Sequence, residues 1–211
     1  MKSVLATLGC VLSFAGITLT SVASAEIVDF EDVDLGGGSS LPNPYVIGAH
    51  GDFYFANLGC YDDVLIEESI GFSGYSNGAV SGLQAAYQIY GQPSSIVHQD
   101  GHLMLFDIES AYFTAAWREG LQLRVRGFVG AGNEEVYDET FTIGIESTFI
   151  DFGISGVSSV TFETFGGTNA GFSFDGANFI MDDVDLTVVP TPPVFATLLL
   201  AGIGVRRRRT A

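Results

Sequence analysis

Apolar and polar residues alternate with a period of two along much of this chain, which is the pattern of strands buried on one face. Glu26-Ile27-Val28-Asp29-Phe30 alternates and predicts a half-buried first strand. The stretch from Leu121 to Phe128 keeps the alternation throughout and puts Gln122, Arg124 and Arg126 on the wet face. Phe141 to Ile145 and Val160 to Phe165 repeat the pattern. Phe172-Ser173-Phe174 runs into Asp175-Gly176, which reads as a hairpin turn, and apolar positions return from Ala177 to Val189. Asn77-Gly78, Asp100-Gly101 and Gly166-Gly167 mark further turns. No long segment holds a 3.6-residue period between caps, so helix is expected only as short turns within 34–44 or 60–70. The longer loops are expected at Asp34–Tyr45, Gly71–Gly82 and Gly91–Gly101. Many short strands joined by Gly-rich turns in one domain predict an all-β, two-sheet β-sandwich.

The two ends follow different rules. Lys2 precedes an apolar run from Val4 to Val22, and Ala23-Ser24-Ala25 supplies small residues at the A-x-A positions. A cationic start, an apolar core and a small-residue site describe a secretory signal peptide over 1–25, cleaved after Ala25. At the other end, Val189-Pro190-Thr191-Pro192-Pro193 is stiff and incompatible with helix. An apolar run from Val194 to Val205 follows, and then Arg206, Arg207, Arg208 and Arg209. Such a run makes only ~18 Å of helix against a hydrocarbon core of ~30 Å. The arginines favour the cytoplasmic side. A marginal transmembrane helix of this kind suits a sorting tail over 190–211.

Proline motif, short apolar helix and terminal Arg cluster resemble the PEP-CTERM sorting signal of exopolysaccharide-producing Gram-negative bacteria. Pro190-Thr191-Pro192 stands where that family has Pro-Glu-Pro. The resemblance implies recognition at Pro190, Thr191 and Pro192 by an exosortase-like processing enzyme. Arg206 to Arg209 would act as the stop. It further implies signal peptidase as a partner, transient residence in the inner membrane, and a destination at the cell surface or in the extracellular matrix. Exopolysaccharide is then a candidate partner.

Charge sharpens once the ends are set aside. The whole chain has a formal net charge of −17, with 25 acids and 8 Lys plus Arg. Residues 26–189 hold all 25 acids against Arg118, Arg124 and Arg126, a net −22, and contain no lysine. Phosphate recognition needs a basic surface, so nucleic acid is not an expected partner. Of the two cysteines, Cys60 alone remains in this domain and reads as a buried small hydrophobe.

Several segments resemble the jelly-roll ectodomains found attached to such tails: Val28 to Asp32, Gly71 to Gly78, Ser110 to Trp117 with Glu119-Gly120-Leu121, and Phe179 to Asp183. The resemblance implies a galactose-binding-like sandwich, akin to carbohydrate-binding modules, with its first and last strands adjacent. Calcium needs several converging oxygen ligands. Glu31, Asp32 and Asp34 after the first strand, with Asp182, Asp183 and Asp185 on the last, are the candidate Ca2+ ligands. Asp32-x-Asp34-x-Gly36 opens like a calcium loop, but Asn43 stands where the closing acid belongs. His98, Asp100 and His102 would share a face if extended, which suits zinc or iron. The Asp100-Gly101 turn signal breaks that alternation. No nucleophile elbow, P-loop or dinucleotide fingerprint is present, and no spacing among the acids selects a glycosidase pair. Tyr54, Tyr61, Tyr75, Tyr87 and Tyr90 form a candidate sugar platform, while Trp117 is expected in the core beside Phe113. The sequence thus predicts a non-catalytic surface protein. Its alternatives are a carbohydrate-binding module with structural calcium and a surface glycoside hydrolase or metallo-hydrolase.

Overall fold

Phe53–Asp62 is a single strand that changes partners halfway along. Phe53 and Phe55 point into the core, Asn57 takes a left-handed φ of 57°, and Leu58 and Cys60 then occupy the inward positions. One left-handed residue has slipped the alternation by one. Asn tolerates this conformation better than other residues with a Cβ. Its side-chain amide also donates to the carbonyls of Gln92 and Pro93, each at 3.1 Å.

A computed structural model of the chain describes residues 24–36, 45–101 and 103–190. These belong to one compact unit, Ala23–Thr191. In chain order the described strands are β1 (Ser24–Val28), β2 (Tyr45–His50), β3 (Phe53–Asp62), β4 (Gln84–Gln88), β5 (Ser94–His98) and β6 (Leu105–Ala115). They continue with β7 (Arg118–Val129), β8 (Glu134–Ile143), β9 (Thr148–Val157), β10 (Ser159–Asn169) and β11 (Phe179–Val189). The one α-helix among the described residues is α1 (Asp63–Ile70). All pairing is antiparallel, in the order β8-β7-β10-β5-β3-β4-β11-β6-β9, with β2 on β3 and β1 on β11.

Because β3 changes partners, this continuous ladder folds into two leaves. One holds β8, β7, β10, β5 and the first half of β3. The other holds the second half of β3 with β4, β11, β6 and β9. Aromatic contacts close the leaves on each other: Phe113 lies 5.8 Å from Phe162, Phe53 lies 5.2 Å from Phe106, and Phe141 lies 5.7 Å from Phe152. The expected all-β sandwich is therefore present. Most consecutive strands after β4 alternate between leaves, which is jelly-roll connectivity.

A second apolar cluster lies on the outer face of β3, β4 and β11. Tyr61 opposite Ala85 and Tyr87 opposite Ile180 point outward, while their neighbours Cys60, Ala86 and Met181 point inward. Helix α1 and the 3-10 turn Gly74–Asn77 cover this face through Ile66 and Tyr75. The Asp62 carboxylate caps α1 by accepting from the Leu65 amide at 3.0 Å. The Gly74 amide donates to the Ala116 carbonyl at 3.0 Å, and a Cβ on Gly74 would overlap the Ala115 carbonyl.

Several expectations change: Gly166-Gly167 lies inside β10 rather than at a turn, and β5 runs through the loop expected at Gly91–Gly101. Phe30 is buried but lies beyond β1, with a left-handed φ of 61°. Asp175-Gly176 is no hairpin, because β10 pairs with β5 and β7 whereas β11 pairs with β1, β4 and β6. Residues 170–178 instead cross from one leaf to the other. Trp117 does not accompany Phe113 in the main core; it joins the outer cluster, 5.5 Å from Tyr75. Cys60 is buried and free as expected, and burial pushes its thiol up to about 12.

Candidate functional site

Three crossovers between the leaves meet at one place. The β4–β5 connection brings Ile89 and Tyr90, the β6–β7 connection brings Trp117, and the β10–β11 connection brings Phe174 to Asn178. Backbone bonds hold them together: the Ala116 amide donates to the Asn178 carbonyl at 3.0 Å, and the Ala170 amide to the Trp117 carbonyl at 2.9 Å. The Asn178 side chain donates to the Gln88 carbonyl at 2.8 Å. Together these residues, with Tyr75 and Tyr87, line a cleft of about 430 Å³. That volume falls in the range of small-ligand sites, roughly 300–1,000 Å³.

The cleft has aromatic walls. Trp117 is 6% exposed and forms part of its base, while Phe174 at 52% and Tyr90 at 73% stand at the rim. Trp117 and Phe174 have ring centroids 5.4 Å apart, and the contacts continue outward from Trp117 to Phe172 at 6.0 Å and from Phe172 to Phe72 at 6.5 Å. Tyr90 holds a left-handed φ of 53°, which is a true outlier for a bulky side chain. Such strain persists where surroundings impose it, and it concentrates at binding sites. Asn57 braces the same connection, its side-chain amide donating to the carbonyls of Gln92 and Pro93. Gly176 packs closely here: a Cβ there would meet the Asn178 side-chain oxygen and touch Trp117 at 3.4 Å.

Polar groups are few. Asp175 receives Arg118 in a two-pronged pair, Nε to Oδ1 at 2.7 Å and Nη2 to Oδ2 at 3.0 Å. That hydrogen bonding holds its carboxyl below the usual range. Arg118 also donates to the Gly166 carbonyl at 2.9 Å. Tyr75 and Tyr87 are neutral, because burial raises both phenols.

The candidate calcium ligands partly converge. Strand β1 lies beside β11, with Val28 opposite Val184, so the acids after β1 and those on β11 approach the same 80–84 segment. Glu31 accepts from the Leu83 amide at 2.8 Å and also from the Gln84 amide. Asp182 accepts from the amides of Val80 at 2.7 Å, Ser81 at 3.1 Å and Asp183 at 2.8 Å. Asp183 accepts from the Ser81 hydroxyl at 2.6 Å. Asp32 faces His50 at 3.3 Å, and Asp34 accepts from the Gly36 amide at 2.9 Å. Asp185 pairs in β11 with Ser110 and Ile27. Among the described residues no three His, Cys, Asp or Glu side chains are grouped to hold a metal ion. Glu31, Asp34 and Asp182 bond to backbone amides, whereas Asp32 faces His50 and Asp183 takes the Ser81 hydroxyl.

The histidine segment is a turn. Strand β5 ends at His98, its buried Nδ1 accepts from the Asp100 amide at 3.0 Å, and Gly101 follows with φ 89°. His102 lies outside the described residues, as do Ala23, Thr191, Pro192 and Arg206 to Arg209. Ala25 pairs with Thr187 within β1, and Pro190 follows β11. No helix among the described residues is long and apolar enough to cross a membrane.

Of the expected sugar platform, Tyr75, Tyr87 and Tyr90 share the cleft. Tyr61 is buried beneath it and donates its hydroxyl to the Tyr75 carbonyl at 2.8 Å. Tyr54 sits elsewhere, on β3 opposite Ala49 and Val97. Phe174, Asp175 and Asn178 join the site although their sequence pattern points only to a turn. The cue available was an apolar-aromatic segment around a Gly turn, Phe172 to Gly176.

No family model matches the chain, and no curated protein matches it. Solved structures do. A DUF4465 family protein from Bacteroides caccae aligns with a TM-score of 0.50 at 11% identity, over 77% of this chain and 98% of its own. A DUF4465 family protein from Bacteroides ovatus gives 0.47 at 9%, over 79% and 100%. The N-terminal CBM22-1–CBM22-2 tandem domain from Paenibacillus barcinonensis Xyn10C gives 0.39 at 13%, over 83% and 49%. At these identities the first likeness establishes the β-sandwich fold and nothing finer.

Proposed function

We propose that the chain is an exported, non-catalytic surface protein that binds a glycan in the aromatic cleft. The observation that carries this reading is the strained, exposed Tyr90 beside Trp117 and Phe174. Aromatic faces match the C–H faces of sugar rings, and a few polar groups fix orientation. Glycoside hydrolysis uses two carboxylates flanking the bond, whereas the cleft lining offers one, Asp175, already held by Arg118. Export and surface delivery rest on the signal pattern and on the Pro190-Thr191-Pro192 tail, read by signal peptidase and an exosortase-like enzyme.

Trp117 is the sole tryptophan, so its emission reports the cleft directly. Titrating the protein with a panel of oligosaccharides is expected to shift that emission saturably. Tyr90→Ala and Phe174→Ala are each expected to weaken binding by about tenfold, equivalent to about 1.4 kcal/mol. A panel that leaves Trp117 unmoved, or binding indifferent to both variants, defeats the reading. The mass of the chain recovered from the surface of its host tests export: cleavage after Ala25 and near Pro190 is expected.

A further inference from the structure

The charges around the cleft restrict what it can accept. The three described cations are all committed. Arg118 is held by Asp175 and the Gly166 carbonyl. Arg124 forms a two-pronged pair with Asp138, at 2.7 and 2.5 Å. Arg126 bonds to Glu163 and lies 3.7 Å from Glu135. Residues 26–189 contain no lysine and carry net −22. Within the cleft lining, Asp175 is the one carboxylate, and the buried tyrosines there are uncharged. A uronate, sulfate or phosphate entering this cleft would lose hydration without meeting a free cation, which is strongly unfavourable. It would also approach against the field of the whole domain.

We infer that the cleft takes an uncharged glycan and excludes polymers bearing uronate, sulfate or phosphate groups; this rests on the glycan-binding reading above. The Arg118–Asp175 pair is the selectivity element. Asp175 presents acceptor oxygens to sugar hydroxyls, and at the same time it cancels the one guanidinium that borders the cleft. Releasing Arg118 should therefore change the preferred ligand class.

The test is Trp117 emission of the purified chain in EDTA. The neutral probes are cellohexaose, xylohexaose and galactohexaose, and the acidic probes are hexagalacturonate and an alginate hexamer. Each is titrated at about 20 mM and about 500 mM salt, where the screening length falls from roughly 20 Å to roughly 4 Å. The expected result is saturable binding of a neutral probe, unchanged within about twofold by salt, with acidic probes at least about tenfold weaker at low salt. Asp175→Asn is expected to narrow that gap by about tenfold or reverse it, with its new acidic binding lost at high salt. Binding of an acidic probe as tightly as a neutral one at low salt overturns the inference while leaving the cleft's role intact. So does an Asp175→Asn variant whose preference is unchanged although its unfolding transition matches the parent's. Silence toward every probe, neutral and acidic, overturns the glycan-binding reading itself.

Discussion

Asp182 is fully buried at the point where β11 leaves β4 and meets β1. Two effects compete over its proton. Burial favours the neutral acid, while the amides of Ser81, Val80 and Asp183 favour the carboxylate. Burial is the larger, the charge of Asp183 adds to it, and the pKa is pushed up to about 7. In the unfolded chain an Asp titrates near ~3.9. Between those values the folded protein holds a proton that the unfolded chain has lost. The contribution of Asp182 to stability is therefore fully present below about pH 4, declines as pH rises to about 7, and is constant above. A shift of roughly three units at 1.36 kcal/mol each gives ~4 kcal/mol as an upper bound. Solvent at the half-exposed 80–81 segment reduces this to about 2 kcal/mol.

The perturbation that isolates this effect is Asp182→Asn, which keeps the shape and removes the titration. Urea unfolding of parent and variant is measured from pH 4 to 9 at constant ionic strength. The other carboxylates impose a pH dependence of their own, but it is common to both proteins and cancels in the difference. Parent stability minus variant stability is expected to fall by about 2 kcal/mol from pH 4 to 7 and then level off. A difference that stays flat, or rises with pH, refutes the reasoning. It would mean that the three amides outweigh burial and hold the carboxylate ionised throughout.

Gly74→Ala is expected to cost about 3 kcal/mol or more in urea unfolding, because its Cβ meets backbone that cannot swing aside, whereas Gly132→Ala, with open space around it, should be close to neutral. Equal effects of the two would remove the case for Gly74 as a required close approach. Asn57→Gly keeps the left-handed backbone but deletes the side-chain bonds to Gln92 and Pro93, so it should weaken glycan binding by about tenfold by loosening the Tyr90 connection. Asn57→Ala should lose that affinity and also about 1 kcal/mol of stability from the strained φ, and unchanged binding by both variants would separate Asn57 from Tyr90. Adding about 1 mM calcium to EDTA-treated protein tests the expected ion: ligation by acids of the 31–34 and 182–185 segments should raise Tm saturably by about 4 °C or more, and an unchanged Tm would end the calcium expectation.

How much of this was legible in the sequence follows from which features are local. The alternations at 121–128 and 160–165 each lie within one strand, so β7 with its wet-face Arg124 and Arg126, and β10, could be read directly. Asp175-Gly176 could not be read directly. A Gly turn between two apolar runs looks the same whether the runs pair with each other or belong to different leaves. The difference lies in β10 choosing β5 and β7, which are distant in the chain. Trp117 failed for a related reason. It is in phase with Phe113 and Ala115, and continuing that period puts it in the core. The strand ends at Ala115, however, and Gly74 takes the Ala116 carbonyl, which turns Trp117 onto the outer cluster. Both misreadings fall at crossovers, and so does the cleft. Period-two alternation describes a strand only while its partners stay the same; where the chain changes leaf, aromatic side chains leave the main core and gather at its edge, some of them exposed. Tyr90, Trp117 and Phe174 are three such side chains from three separate crossovers. Placing them side by side required the leaf assignment of every strand around them.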